Sequence, residues 1–593
     1  MKLKKILLAS LILLTGLSAC RKTFEKLPVT ELDVTQAYLT VDDANTAVMG
    51  LYGKFMKMAD RYIILNELRG DLLEYTTNAD KYLREISEHN VSADNPYASP
   101  RPFYELILNC NDVLKNFKIM VQDKKLKDVE FNQRYSDIVC LRSFLYLQLG
   151  IHYGDEVRYV TDPLENVEAI TDINKFPKLT FSVLLDSLIN ATEVIPFKTQ
   201  YTAQVSGTVG PALNMTLDGI PTNTFFIQKK MLLGDLYLWK GNYNRAATYY
   251  REVMELGTPS GSSESGFGLY KLGWGIGGTS EGHYVGYKTV NSQLEIQDEG
   301  NVWRAIFNRP YDAGYGYEWL WALPYDSKFL PDNPLVKLFS PIGGDYLVKP
   351  SQAIMDNWGA QQQNARAANG IVYGTFSDAR ARYSVRTVAG QPTVMKNLYY
   401  YLNYLTNTPI NPLSKNGRFY LYRQTHLHLH FAEAANRDGY PRLASALSDG
   451  GIQGTYSAPD TLKDITNFEN TLTLPAPYNF DARENIGTQV PYFRGQWYRN
   501  IGIRNRAGVK RNVVPAGDSL IQVENNIINE EALENAFEGT RWPNLVRIAL
   551  RRNDPAFLAD KIYAKMQKDN IPNAEAIRAK LMNKANWYLP FKL

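Results

Sequence analysis

The chain has 593 residues, 45% hydrophobic and 21% charged, an ordinary balance for a globular protein with room for a large core. Its formal charge of +4 over that length excludes an electrostatic case for nucleic-acid binding. The outlier is aromatic content: 39 Tyr, 24 Phe and 9 Trp, a Tyr excess that suits binding surfaces where a ring packs and its edge stays wet.

Lys2, Lys4 and Lys5 precede an apolar stretch from Ile6 to Leu14 that only Ser10 interrupts. The stretch is too short to cross a bilayer core of about 30 Å, which takes about 20 apolar residues, so it reads as a secretory signal. It ends in Leu17-Ser18-Ala19-Cys20, an apolar residue, two small residues and a cysteine, which resembles the lipobox of bacterial lipoproteins. That resemblance implies that residues 1–19 are removed and that Cys20 carries lipid, leaving a protein anchored outside the cytoplasm. Loss of the three lysines brings the side-chain balance to about +1. No later run of 18 uninterrupted apolar residues suggests a spanning helix. Cys110 and Cys140 both fall in apolar helical patterns, where a buried free thiol is expected rather than a disulfide.

Helical periodicity begins at Asp42 to Met58, with Asp42-Asp43 at its start, and returns at Phe103 to Phe117, Tyr135 to Tyr153 and Phe181 to Ile195, which Pro196 stops. Thr224 to Leu256 has Gly234, Tyr237, Ala246 and Tyr250 at the spacing of a tetratricopeptide (TPR) unit, with Gly241-Asn242 as its turn. Small residues let two helices approach, and Tyr237 and Tyr250 are expected to fill the space between them. A second helical pair is expected over Phe419 to Asp449, turning at Gly439-Tyr440-Pro441. Glu524 to Asn583 is helical again. The fold class is therefore mainly α, a TPR-like superhelix built over about 38–257, 417–449 and 524–593. Gly-, Pro- and Tyr-rich stretches at about 258–416 and 450–523 read as loop and short-strand insertions packed on it, all within one domain spanning 20–593.

Several segments are similar to the SusD/RagB family of Bacteroidetes outer-membrane lipoproteins. Phe537-Glu538-Gly539-Thr540-Arg541-Trp542, with Leu545 and Arg547, resembles the family's C-terminal signature. There Gly539 is expected in a left-handed conformation between two helices, Arg541 paired with a carboxylate and Trp542 buried. Thr40 to Tyr52, the spacing of Tyr104, Ile107, Asn111 and Leu114, and Leu141-Arg142-Ser143-Phe144-Leu145-Tyr146 followed by Tyr153-Gly154-Asp155 resemble the family's early helices. Phe181 to Pro196, Pro350-Ser351, Asp378-Ala379-Arg380 and Tyr588-Leu589-Pro590 continue the match to the end of the chain. The resemblance implies a TPR scaffold under a variable loop face, no catalysis and no cofactor. It also implies capture of an oligosaccharide, or of a peptide as the alternative, for delivery to a SusC-like TonB-dependent transporter whose lid the protein forms. The location implied is the outer membrane, facing the cell surface, although Arg21-Lys22-Thr23 follow Cys20 where surface members often carry acidic residues.

The candidate ligand contacts are aromatic. Trp303, Tyr311, Tyr315, Tyr317, Trp319, Trp321 and Tyr325 fall within 23 residues, and on a strand Tyr317, Trp319 and Trp321 would share one face, as a stacking platform for sugar rings. The segment after the first helices adds Arg69, Asp71, Tyr75, Asn78 and Tyr97. Other patterns point to bland roles. His426 and His430 share a helix face but lack a completing ligand set, so packing or a partner contact is expected rather than a metal. Gly273 to Gly278 fits G-x-G-x-x-G without the following helix a dinucleotide loop needs. Carboxylate pairs are inevitable among 61 acidic residues, no Ser or Cys nucleophile signature occurs, and a surface glycoside hydrolase is the remaining alternative.

Overall fold

The computed structural model describes residues 37–199, 220–255, 318–367, 370–456, 474–480, 502–513 and 519–593, with short pieces at 213, 216–217, 289–290, 293–294, 305–308, 497 and 500. The architecture is mainly helical, as expected. Helix α1 (Val41–Met56) starts one residue earlier than the acidic pair suggested, because Thr40 caps it: the Thr40 hydroxyl accepts from the Asp43 N–H at 3.2 Å while Asp43 accepts from the Thr40 N–H at 2.8 Å. After a short helix at Ala59–Ile63 and a wider π turn to Leu68, strand β1 (Leu73–Tyr75) and helix α2 (Lys81–Ser87) lead to two long helices, α3 (Arg101–Gln122) and α4 (Asp128–Tyr153). From Ser136 onward every residue of α4 is buried, so it is the central rod of the scaffold. It stops at Gly154, whose φ is +58°.

Small residues set the helix spacing. Gly150 of α4 lies under Phe181, the first residue of α5 (Phe181–Glu193), and a Cβ at Gly150 would come within 2.3 Å of that ring. The TPR-like pair is formed by α6 (Lys229–Lys240) and α7 (Tyr243–Met254), joined through Gly241 at φ +84° and capped by Asn242. Gly234 is covered by the Tyr250 ring, and the Tyr250 hydroxyl donates to Asp235 at 2.7 Å. Tyr237 does not fill that gap. It points the other way, stacks on Tyr249 and donates to Glu193 of α5 at 2.6 Å, tying one helical pair to the next.

The second expected pair differs at its start. Gly417–Arg423 is a strand, not helix, and pairs antiparallel with Trp319–Tyr325. The run Phe419-Tyr420-Leu421-Tyr422 is buried on both sides, and aromatic residues on facing strands pack better there than on a helix turn. The helix begins at Gln424 and runs to Arg437, and its partner is short, Pro441–Ser445 followed by a π turn to Gly450. Short helices and two-stranded ladders occupy the described parts of 318–394, among them Val348–Pro350 beside β1, Gln352–Gly359 and Val385–Val388 with Gln391–Val394. The chain closes through helices at Ser519–Glu534, Arg541–Arg552, Pro555–Lys568 and Ala574–Leu581.

Charge is buried where these parts meet. Glu534 takes Arg380, Arg423 and Arg506 at 2.7, 2.8 and 2.7 Å, while Glu538 takes Arg423 and Lys396 at 2.8 and 2.7 Å. Asp378 of the Asp-x-Arg pair holds Arg380 in place at 2.6 Å. These groups come from five separate segments, so the cluster fastens the insertion and the C-terminal helices to one point.

The C-terminal signature behaves as expected. Gly539 has φ +86° with Tyr62 packed against it, Arg541 pairs with Asp71 at 2.5 and 2.8 Å, and Trp542 is fully buried. Glu67 accepts the N–H groups of Gly539, Thr540 and Arg541 at 2.8, 2.8 and 3.2 Å, serving the exposed donors of that helix start. Cys110 and Cys140 are free and fully buried, and burial pushes both thiols up to about 12. Iodoacetamide followed by peptide mass spectrometry will find neither modified in the native protein and both modified in denaturant, because only the thiolate reacts. No helix among the described residues is long and apolar enough to cross a membrane.

Candidate functional site

The described part of the aromatic platform is not on the surface. Trp319 and Trp321 are 4% and 0% exposed. The indole N–H of Trp319 donates to the Ile306 carbonyl at 2.7 Å and its ring stacks on Tyr420 with centroids 4.1 Å apart. Trp321 donates to the Phe225 carbonyl at 2.9 Å and stacks on Phe55. The alternation does place these residues on a strand, but Phe307 and Tyr420 pack on Trp319 while Phe55 and Phe144 pack on Trp321, so these rings are core. Trp303, Tyr311, Tyr315 and Tyr317 lie outside the described residues, as do Cys20 and the Gly273–Gly278 loop.

Most of the second candidate group is structural too. Asp71 is held by Arg541, and the coulombic and hydrogen-bonding reach of that guanidinium keeps its carboxyl below the usual range despite burial. Arg69 is 1% exposed, its guanidinium lying 4.1 Å above the Trp542 ring. Neither Arg69 nor Asp71 reaches the cleft at Tyr75. Tyr97 is half-buried in a turn whose carbonyls hold Arg61. His426, His428 and His430 are all buried in their helix, with His430 2.8 Å from Asp235, and no metal-holding group of three His, Cys, Asp or Glu occurs among the described residues.

Tyr75 and Asn78 do meet at a cleft. Strand β1 pairs antiparallel with Val348–Pro350, setting Glu74 opposite Lys349 and Tyr75 opposite Val348. The cleft beside this ladder has a volume of about 630 Å³ and draws its lining from residues 74–78, Arg84, residues 341–349, the turn at Ala389 and Gln391, and Asp569 with Ile571. That volume suits a small ligand. Its edges are rigid. Thr76 donates through its hydroxyl to the Tyr346 carbonyl at 2.5 Å, Asn78 donates to the Asp345 carbonyl at 3.0 Å, and Tyr346 donates to the Pro392 carbonyl at 2.7 Å.

The Tyr75 hydroxyl donates to Glu88 at 2.8 Å, and burial together with that carboxylate raises its pKa, so the phenol stays neutral. Its ring is half-buried, with the Arg84 guanidinium 5.8 Å from the centroid. Thr77, Asn78, Arg84, Asp345 and Gln391 are exposed around it. A tethered ring among amides, hydroxyls and charged groups can stack on the C–H face of a sugar and bond its hydroxyls. Of the three carboxylates in the lining, Glu74 is engaged by Ser87 at 2.9 Å and by Lys565 at 3.1 Å, Asp569 accepts the Gln352 N–H at 3.1 Å, and Asp345 is exposed at the edge. Sequence reading missed Arg84, Asp345, Lys349 and Gln391 because three distant segments bring them together. The Tyr75-Thr76-Thr77-Asn78 run was the available signal.

No family model matches the chain, and no curated protein does. Solved structures do. A SusD superfamily protein from Bacteroides vulgatus superposes with a TM-score of 0.54 at 14% identity, covering 93% of this chain and 96% of that one. Surface glycan-binding protein A from Bacteroides uniformis gives 0.53 at 14% identity over 93% and 96%. A laminarin-binding SusD-like protein gives 0.50 at 14% identity over the same shares. The helical pairs, the buried signature and these superpositions over nearly the whole length agree: the chain has the fold of the SusD superfamily.

Proposed function

We propose that this protein is a non-catalytic, lipid-anchored oligosaccharide-capturing protein of the outer membrane that hands its ligand to a SusC-like TonB-dependent transporter. The observation that carries the reading is the SusD-type fold along 93% of the chain, shared with proteins named for glycan and laminarin binding. The cleft at Tyr75 supports it, because a half-buried ring there has exposed neutral and charged hydrogen-bonding groups beside it. The Leu17-Ser18-Ala19-Cys20 motif supports lipidation at Cys20. Anchoring on the membrane that holds the transporter raises the local concentration of ligand at the import gate.

Calorimetry against a panel of neutral oligosaccharides and a peptide digest tests the ligand class. An oligosaccharide is expected to bind, and Tyr75→Ala is expected to weaken it about 10-fold or more, the roughly 1.4 kcal/mol of one aromatic stack. Binding of peptides alone overturns the glycan reading and selects the peptide alternative. Turnover of a glycan, lost on changing a single carboxylate, overturns the non-catalytic one.

A further inference from the structure

A second cleft, of about 750 Å³, opens between the residues just after α2, the end of α4 and the C-terminal segment from Lys580 to Phe591. Arg69 lines it from beneath. This guanidinium is buried without an anion: no carboxylate among the described residues pairs with it. Its hydrogen-bond partners are a ring nitrogen of His152 at 3.1 Å and the carbonyl of Trp587. Its Nε is buried and has no hydrogen-bond partner among the described residues. Burial and the neighbouring Arg69 charge hold His152 and His89 neutral, so neither supplies nor opposes charge at the site. Desolvation lowers the Arg69 pKa, since nothing nearby offsets it fully.

By contrast, the buried Arg380 and Arg423 of the interior cluster, and Arg547 with Glu433, each meet a carboxylate within 2.8 Å. The rim of the cleft adds further positive charge. Lys580 donates to the His89 carbonyl at 2.7 Å, and Lys584 is exposed at the start of the closing turn. Of the two rim carboxylates, Glu156 is matched by Lys178 at 2.6 Å, and Asp155 accepts the Phe181 N–H at 2.7 Å. Tyr588, half-buried, presents its ring beside Gly154. The balance left facing the cleft is cationic, with an aromatic ring and the Asn583 and Asn586 amides beside it.

We infer that this cleft is a second ligand site, specific for the oxyanion of an acidic saccharide, with Lys584 and Lys580 contacting the anion and Arg69 supplying fixed positive charge from beneath. A carboxylate or a sulfate ester carries the same chemistry. A charge set in the low-dielectric floor acts on an anion in the cleft more strongly than a solvated surface lysine would. The inference rests on the glycan reading above but uses a different cleft, so the two stand or fall separately.

The test is calorimetry with tetragalacturonate, a sulfated tetrasaccharide and neutral cellotetraose on the folded lipid-free chain. At least one acidic probe is expected to bind. Lys584→Glu, at an exposed position that leaves the fold intact, is expected to weaken it ~10-fold or more, as is 0.5 M salt, while Tyr75→Ala leaves it within about twofold. Arg69→Met, checked by circular dichroism, is expected to weaken it as well. Whichever acidic probe binds tells carboxylate from sulfate. Failure of both acidic probes, or unchanged binding by Lys584→Glu, overturns the site. Neutral probe binding that Tyr75→Ala abolishes, with both acidic probes silent, overturns this site and leaves the first cleft standing. Acidic binding with every neutral glycan silent does the reverse.

Discussion

Arg423→Met will destabilise the protein by about 3–5 kcal/mol in urea or thermal unfolding, the loss typical of removing one partner from a buried ion pair. Arg423 is fully buried and serves Glu318, Glu534 and Glu538 at once, at 3.1, 2.8 and 2.8 Å, and also the Asn535 side chain at 2.9 Å. Methionine matches much of its length and none of its charge. Three carboxylates would then share Arg380, Arg506 and Lys396 in the buried interior, where charge is weakly screened. The same cluster sets an acid limit. Glu538, although burial opposes its charge, is held at about 2 by Arg423 and Lys396, against an ordinary value of 4.5. Its stabilisation is therefore complete above pH 4.5 and is lost as pH falls from 4.5 towards 2. Glu538→Gln is expected to flatten that part of the stability–pH curve, measured as urea midpoints at successive pH values.

Gly539→Ala will cost about 2–5 kcal/mol, a sum of backbone strain and overpacking. The residue sits at φ +86°, where a Cβ is strained, and that Cβ would fall 2.1 Å from the Tyr62 ring. Tyr62 cannot retreat, since it packs on Phe144 and Phe419. The N–H of Gly539 is also one of the donors to Glu67, so a backbone shift there loosens the start of the Arg541–Arg552 helix and with it the Arg541–Asp71 pair. Unfolding midpoints for this variant, beside Gly50→Ala in α1, where a Cβ meets nothing within 4 Å, separate the local requirement from the general effect of replacing glycine.

These two sites also divide what could be read in advance from what could not. Gly539 was legible because its requirement is local: a helix end, a following Arg-Trp and a backbone turn lie within six residues. The α6–α7 pair was legible for the same reason, since Gly234 and Tyr250 are one TPR spacing apart and Gly241-Asn242 marks the turn. The strand at Gly417–Arg423 was not, because its aromatic run fits either period, and only the partner at Trp319–Tyr325 chooses between them. Trp319 and Trp321 of the expected sugar platform were misplaced for the same reason. Alternating Trp and Tyr residues describe an exposed stacking face and a buried strand equally well, and nothing within the segment says what covers it.

The sequence by itself determined the helical scaffold, the caps and turns that bound its helices, and the SusD-like signature, because each is written in the spacing of residue types close together in the chain. Only the tertiary structure decided which polar and aromatic groups line a cleft. It put Arg69 and Asp71 in the core beside Trp542 and Arg541, nearly 500 residues away. It left Tyr75 and Asn78 at a cleft completed by Arg84, Asp345 and Gln391, and it left Arg69 without an anion under a second cleft. The physical reason is that burial and charge neutralisation are properties of neighbours in space. A side chain's type sets what it can do, while the segments packed over it decide whether anything outside the protein can reach it.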